Sequence, residues 1–295
     1  MIGGTKFVGP HVVRQLAAQG HIVTVYHRGQ TEADLPATVR HVHDPAATIP
    51  VEVFPKALFE PSPDVVIHMI AMGEHDAQAA AQAFRGRARR LVALSSGDVY
   101  LAYGRFTGLE PGPTVEGLLQ ESSPMRTVLY PYRKQAKSAD DWVYSYEKLL
   151  VERIVLDAPT LEGVILRLPK IYGPGENADL ATVYQFRHQP QWRWTHGYAE
   201  NVAAAVVLAA VHPAAAGQIY NVGEEVTPSV AERLKDLPAS SVVPTTTMSA
   251  NFKQNIVYDT SRIRQHLGYH EPVSYLEGLR RTVQLGGSNA PVTTP

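Results

Sequence analysis

Apolar and polar positions along the first hundred residues switch between two periods. Strand-like runs at 22–26, 39–43, 64–70 and 91–95 are separated by helical stretches at 10–19 and 76–87. That alternation predicts a parallel sheet covered on both faces. In the first helix Val12, Val13 and Leu16 make the apolar side, and Gly20 supplies the stop. The run at 64–70 is apolar nearly throughout, as a central strand buried on both faces requires. Between 101 and 141 the alternation breaks, with Pro111, Pro113, Pro124 and Pro131, and a gap of that length predicts an insertion or an active-site lid. Order resumes with an amphipathic helix over 142–156, a strand over 163–168, a very apolar helix over 200–211 and a strand over 218–222. The stretch 203–211 is apolar nearly all round and reads as buried core. Polar loop with one or two helices continues to about 283, and residues 286–295 read as a disordered tail.

Composition narrows the class. With 295 residues, the chain can hold one large α/β domain and a smaller lobe. A net charge of −1 leaves no footprint for nucleic acid or an anionic membrane. The absence of cysteine excludes disulfides and thiolate chemistry and fits a reducing compartment. No apolar run approaches a membrane span, and the first residues lack a secretory signal, so a cytoplasmic location is expected.

Residues 3–9, Gly-Gly-Thr-Lys-Phe-Val-Gly, lead directly into the first helix. A glycine-rich turn at a helix N-terminus lets backbone N–H groups approach a pyrophosphate, where the helix dipole favours negative charge. Gly3, Thr5, Lys6, Phe7, Val8 and Gly9 are therefore candidate dinucleotide contacts. Lys6 stands where a middle glycine would be, and only Met1 and Ile2 precede the loop. Such a loop normally follows a strand of about five residues, so a truncated first strand, with some loss of stability, is expected. At the end of the second strand stand His27 and Arg28, with no acid until Glu32. Arginine there suits a 2′-phosphate and a carboxylate suits a 2′-hydroxyl, so NADP(H) is favoured, with NAD(H) allowed.

The candidate chemistry lies in Tyr144-Ser-Tyr-Glu-Lys148. A tyrosine and a lysine four apart share one face of a helix, where the ammonium lowers the phenol's pKa toward use as a general acid/base. A second copy, Tyr130-Pro-Tyr-Arg-Lys134, sits in Pro-rich chain and is set aside. Ser95 and Ser96 end a parallel strand, the edge at which doubly wound sheets bind ligands. His41-x-His43-Asp44 places two histidines on one strand face, but no other ligand cluster is evident, and no metal site is expected. In 191–198, Trp192 and Trp194 could stack on a base or serve as packing, while Arg193 could pair with a phosphate.

These segments, together with Ser-Ser-Gly-Asp-Val-Tyr100, Leu-Arg-Leu-Pro-Lys-Ile-Tyr-Gly-Pro-Gly175, Gln-Ile-Tyr-Asn-Val-Gly223 and Tyr258-Asp-Thr-Ser-Arg262, resemble the extended short-chain dehydrogenase/reductase superfamily, the NAD(P)-dependent epimerases and dehydratases. The resemblance implies a doubly wound parallel Rossmann sheet with a small C-terminal substrate-binding lobe. It implies Tyr144 as acid/base, Lys148 on the nicotinamide ribose and Ser96 on the substrate oxygen. Asp44, Ala71, Pro169 and Ile171 join the cofactor contacts, and Asp98, Tyr100 and Arg193 the substrate contacts. Dehydratases of this branch carry an acidic pair where this chain has Gly97-Asp98, which disfavours dehydration.

The implied organisation is a cofactor domain over 1–168 and 200–223, interrupted by 101–141, with a substrate lobe over 169–199 and 224–285. The implied function is an NAD(P)-dependent oxidoreductase or epimerase acting on a hydroxyl or keto group of a sugar or nucleotide-sugar-like substrate. Two alternatives stand beside it: an NADP(H)-dependent carbonyl reductase of a small ketone, and a non-catalytic dinucleotide-binding regulator. The expected partner is a small molecule, with neither nucleic acid nor membrane, and a homodimer is left open.

Overall fold

The computed structural model describes residues 1–175, 180–240 and 250–286. The tail expected at 286–295 lies outside the described residues beyond Gly286. Helix α1 (Val8–Ala18) is followed by strands β1 (Thr24–His27), β2 (Arg40–His43) and β3 (Val65–His68). Helix α2 (Glu74–Phe84) leads to β4 (Arg90–Ser96), and α3 (Leu101–Thr107) opens the irregular stretch that ends at α4 (Lys148–Leu156). Then come β5 (Glu162–Leu168), β6 (Lys170–Tyr172), α5 (Ala181–Tyr184), β7 (His196–Tyr198), α6 (Ala199–Val211) and β8 (Ile219–Asn221). Helices α7 (Val230–Lys235), α8 (Ser261–Leu267) and α9 (Tyr275–Gly286) complete the chain.

The main sheet is parallel, ordered β3-β4-β5-β8, with β1-β2 beside it. Ile2 joins the two parts by parallel bridges to Tyr26 and His68. Its N–H donates to Ile67 O at 2.9 Å and its carbonyl accepts from Met69 N at 3.0 Å. On the other side Tyr26 N donates to Met1 O at 2.8 Å. Ile2 is thus a one-residue bridge in mid-sheet, and it leads straight into the glycine loop.

One face of the sheet is covered by α1 and α6, whose Val12, Val13, Val202, Val206 and Ala209 are buried with Val92 and Leu166. The other is covered by α2 and α4, through Ala77, Ala80, Val151 and Val155 against Leu91 and Ile165. Helix α6 is apolar all round because it lies between the sheet and α1. No helix among the described residues is long and apolar enough to cross a membrane.

One expected helix is divided. Residues 142–145 form a 3-10 turn, Tyr146 and Glu147 are extended, and α4 begins only at Lys148. The cause is a cap: the Glu147 carboxylate accepts the Leu149 N–H at 2.9 Å, which fixes Glu147 outside the helix. Residues 101–141 are tied down at several points. Tyr100 bridges Met125, Leu119 bridges Tyr258, and the Arg126 guanidinium is buried against the Glu147 carboxylate.

Candidate functional site

The glycine loop borders a cleft of about 480 Å³ at the carboxyl edge of the sheet. Gly3 and Gly4 have φ of 74° and 126°, the region that favours glycine. A Cβ on Gly9 would lie 2.4 Å from the Gly4 backbone, so the loop and the first turn of α1 touch and only hydrogen fits between them. Helix α1 has no side-chain cap and no acid in its first turn, which suits an anion at its positive end. Gly3, Thr5, Lys6, Phe7, Val8, His27, Arg28 and Ile171 line the cleft as expected, and no carboxylate is among the lining residues. These features fit a dinucleotide.

Some expected contacts lie elsewhere. Asp44 is not in the lining: its carboxylate accepts from the Tyr26 hydroxyl at 2.9 Å and from Ala46 N at 3.2 Å. That wall is made instead by Ala47, Thr48, Ile49 and Val51. Ala71 is buried and acts through its carbonyl, and Pro169 packs over Gly197. Lys148 is buried, with Nζ donating to Ala71 O at 2.5 Å and Leu94 O at 3.0 Å. Two of its three protons therefore brace the cleft floor. Burial lowers its pKa, opposed by Asp76, Asp98 and Glu152.

Strand alternation turns the two serines apart. The Ser95 hydroxyl donates to Glu152 at 2.6 Å, within a buried network of Arg167, Tyr100 and Asn221. Tyr100, expected at the substrate, is fully buried with its hydroxyl engaged in this network. Ser96 ends β4 and accepts from Asp98 N at 3.3 Å.

The hydroxyl that meets Ser96 belongs to Tyr146. This ring is buried, its oxygen faces Ser96 and Asp98, and Lys148 Nζ is 5.5 Å from its centroid. Tyr144 lies apart. It is 38% exposed, with the Arg133 guanidinium 4.5 Å over its ring. The same guanidinium lies 3.7 Å over Tyr130, so the two tyrosines weighed against each other in the sequence flank one arginine. Four-residue spacing would join Tyr144 to Lys148 only on a continuous helix, and the Glu147 cap interrupts it.

Burial, then the Asp98 charge, pushes the Tyr146 phenol well above its usual range. Asp98 is buried as well, which raises its carboxyl against the pull of Arg126, and the Tyr132 hydroxyl donates to it at 3.0 Å. Gly97 is held open for Tyr258: a Cβ there would sit 1.8 Å from the Tyr258 hydroxyl, which donates to Leu168 O at 3.1 Å. An acid cannot occupy position 97 while Tyr258 is in place. Arg193 is committed to Glu232 at 3.1 Å and Thr227 O at 2.7 Å. Trp192 stacks on Phe106 at 4.8 Å in the core.

A family model described as "NAD dependent epimerase/dehydratase family" matches residues 1–223. The chain belongs to that family. It is an enzyme of the epimerase/dehydratase group, with the Rossmann-like sheet of that group. A curated relative, the uncharacterized protein y4nL of Sinorhizobium fredii, is 25% identical over 187 residues, covering 48% of this chain. The chain spans 52% of that relative's length. Among solved structures, an epimerase of Methanothermobacter thermautotrophicus has a TM-score of 0.70 at 20% identity, covering 98% of this chain and 91% of its own. The UDP-glucose 4-epimerase of Thermotoga maritima, solved with UDP-glucose, has 0.67 at 18%, with 97% of each chain covered. That of Thermus thermophilus, solved with NAD, has 0.66 at 22%, with 98% of each covered. At these identities the likeness is one of fold.

Proposed function

We infer that this enzyme is an NAD(P)-dependent oxidoreductase or epimerase acting on a hydroxyl or keto group of a nucleotide-sugar-like substrate. The observation that carries the reading is the buried Tyr146 hydroxyl facing Ser96, beside Lys148 under the floor of the glycine-loop cleft. Structural relatives solved with UDP-glucose and with NAD support the substrate and cofactor classes.

The glycine loop and the first turn of α1 would hold the pyrophosphate. Lys6 and Arg28, both exposed on the cleft rim, favour NADP(H). A bound nicotinamide supplies the hydride donor and acceptor. The chain's own groups handle the proton. Ser96 orients the substrate oxygen, and Tyr146, which keeps its proton at neutral pH, donates it to a carbonyl oxygen as negative charge develops there, taking one in turn from the Asp98 carboxyl, whose burial favours the protonated form. In the reverse sense Tyr146 passes its proton toward Asp98 while taking one from the substrate hydroxyl. Lys148 fixes the backbone of Ala71 and Leu94 and lends positive charge beneath the phenol. Arg126 and Glu147 hold the 101–141 segment against this centre, and the substrate's distal part would be gripped by the lobe at 169–199 and 224–285.

The test is titration with NADPH and NADH followed by a screen of UDP-sugars and small ketones. An epimerase returns its cofactor unchanged, whereas a simple reductase consumes one reduced dinucleotide per turnover. Absence of binding by either dinucleotide overturns the reading.

A further inference from the structure

Three histidines and a glutamate converge at the rim of the cleft, outside the Ser96 centre. His27 ends β1, His41 and His43 lie two apart on one face of β2, and Glu32 comes from the loop between the strands. Their ligand atoms all lie within 4.8 Å of one another. His27 Nε2 and His41 Nδ1 are 3.0 Å apart, and His43 Nε2 is 3.1 Å from Glu32 Oε1. His41 Nδ1 is 3.6 Å from Glu32 Oε2, and His27 Nε2 is 4.0 Å from Oε1.

We propose that His27, Glu32, His41 and His43 form a structural site for a transition-metal dication of the zinc type, which clips the loop after β1 onto β2.

The distances support this. Bonds of about 2.0–2.1 Å from a tetrahedral ion place its ligand atoms about 3.3–3.4 Å apart, and the observed separations straddle that value. Three imidazoles and one carboxylate select zinc-like ions over Mg²⁺ or Ca²⁺, which prefer oxygen. The site has a buried end at His27 and an open end, since the His43 and Glu32 side chains are exposed by 49% and 54%. A plain hydrogen-bonded network explains less, because it does not require three separate chain segments to aim ring nitrogens and a carboxylate at one point. An anion is disfavoured there because Glu32 places negative charge among the histidines.

Ligation has a local consequence. Gly29 N donates to His27 Nδ1 at 3.2 Å, which puts the ring proton on Nε2, facing His41. When a cation takes Nε2, that single ring proton moves to Nδ1, and the Gly29 contact opens. Gly29 has a φ of 73°, in the region that favours glycine. His27 and Arg28 line the cleft, so the clip would set the shape of its adenosine end.

The experiment uses the untagged full chain, stripped with a chelator and titrated with Zn²⁺, with Co²⁺ as a spectroscopic probe and Mg²⁺ as control. The expected result is one Zn²⁺ per chain, a rise in Tm with Zn²⁺ but not Mg²⁺, and the visible bands of four-coordinate Co²⁺. Glu32→Gln and His43→Gln, both exposed positions, should bind at least tenfold more weakly while their metal-free Tm stays at the wild-type value. No stoichiometric binding, equal binding in both variants, or a preference for Mg²⁺ would each overturn the proposal.

Discussion

Glu147 stands between Tyr146 and Lys148, the two residues to which the proposed chemistry is assigned, and its removal should be costly out of proportion to its size. Its carboxylate and the Arg126 guanidinium are both completely buried. One carboxylate oxygen accepts from Arg126 Nη1 at 3.0 Å and from Tyr130 N at 2.5 Å, and the other caps α4 through Leu149 N. Arg126 in turn donates through Nε to Asp98 O at 2.9 Å. Removing one partner of such a pair strands a charge without solvent and costs about 3–5 kcal/mol. Glu147→Gln should fall in that range, and Glu147→Leu should lose about 1 kcal/mol more with the helix cap. At about 2–4 °C per kcal/mol for chains approaching this size, Tm should drop by roughly 6 °C or more. Replacing both partners by apolar groups, Glu147→Leu with Arg126→Met, should recover much of the loss, because no charge is then left buried. The assay is urea unfolding followed by tryptophan fluorescence for Glu147→Gln and for the four members of the apolar cycle. If Glu147→Gln unfolds within about 1 kcal/mol of wild type, or if the two apolar changes simply add, the pair is not the anchor described.

Gly97→Asp, which would restore an acidic pair, should instead destabilise the chain. Its Cβ would fall 1.8 Å from the Tyr258 hydroxyl, and overpacking of this kind costs about 1–3 kcal/mol; a thermal melt at the wild-type temperature would contradict it. Gly9→Ala should weaken dinucleotide binding at least tenfold by forcing the loop off α1, whereas Gly20→Ala, outside the cleft lining, should cost stability through its φ of 85° but leave binding unchanged; calorimetric titration separates the two. Glu162 gives a pH signature. Desolvation raises its carboxyl, but hydrogen bonds from Arg90 and Arg89 outweigh that and hold it below its usual 4.5. The folded-state pKa is depressed, so the stability it contributes is present above pH 4.5 and is lost as pH falls through the lower folded value. Glu162→Gln should flatten that part of the acid limb in a Tm-against-pH profile, and an unchanged limb would refute the assignment.

The sheet and the glycine loop were legible because each is a local pattern: apolar runs, a loop before a helix, a serine at a strand end. Gly97 also read correctly as a departure, although its cause, the Tyr258 hydroxyl, comes from a segment far along the chain. Tyr144 lies apart from Lys148 for a definite reason. Four-residue spacing implies a shared face only if the helix is continuous, and what breaks it is the buried Glu147–Arg126 contact with a residue in the Pro-rich stretch. An acid one residue before Lys148 was the available signal, since a carboxylate there can cap a helix that begins at the lysine. His27 and Glu32 escaped notice as companions of His41 and His43 because only the parallel pairing of β1 with β2 brings them together. Asp44 follows β2, where an adenine contact was expected, and nothing in the local sequence reveals that its carboxylate accepts from the Tyr26 hydroxyl on β1.

Whether Tyr146 supplies the proton at the Ser96 centre is decided by a paired substitution. Tyr146→Phe and Tyr144→Phe are compared for dinucleotide affinity and for turnover on the best substrate of the screen. Both variants should bind the dinucleotide as wild type does. Tyr146→Phe should lose about 10²–10⁴-fold in kcat, as expected for removal of a general acid, while Tyr144→Phe stays within a few-fold. Wild-type turnover in Tyr146→Phe, with the loss falling on Tyr144→Phe instead, would contradict that role for Tyr146.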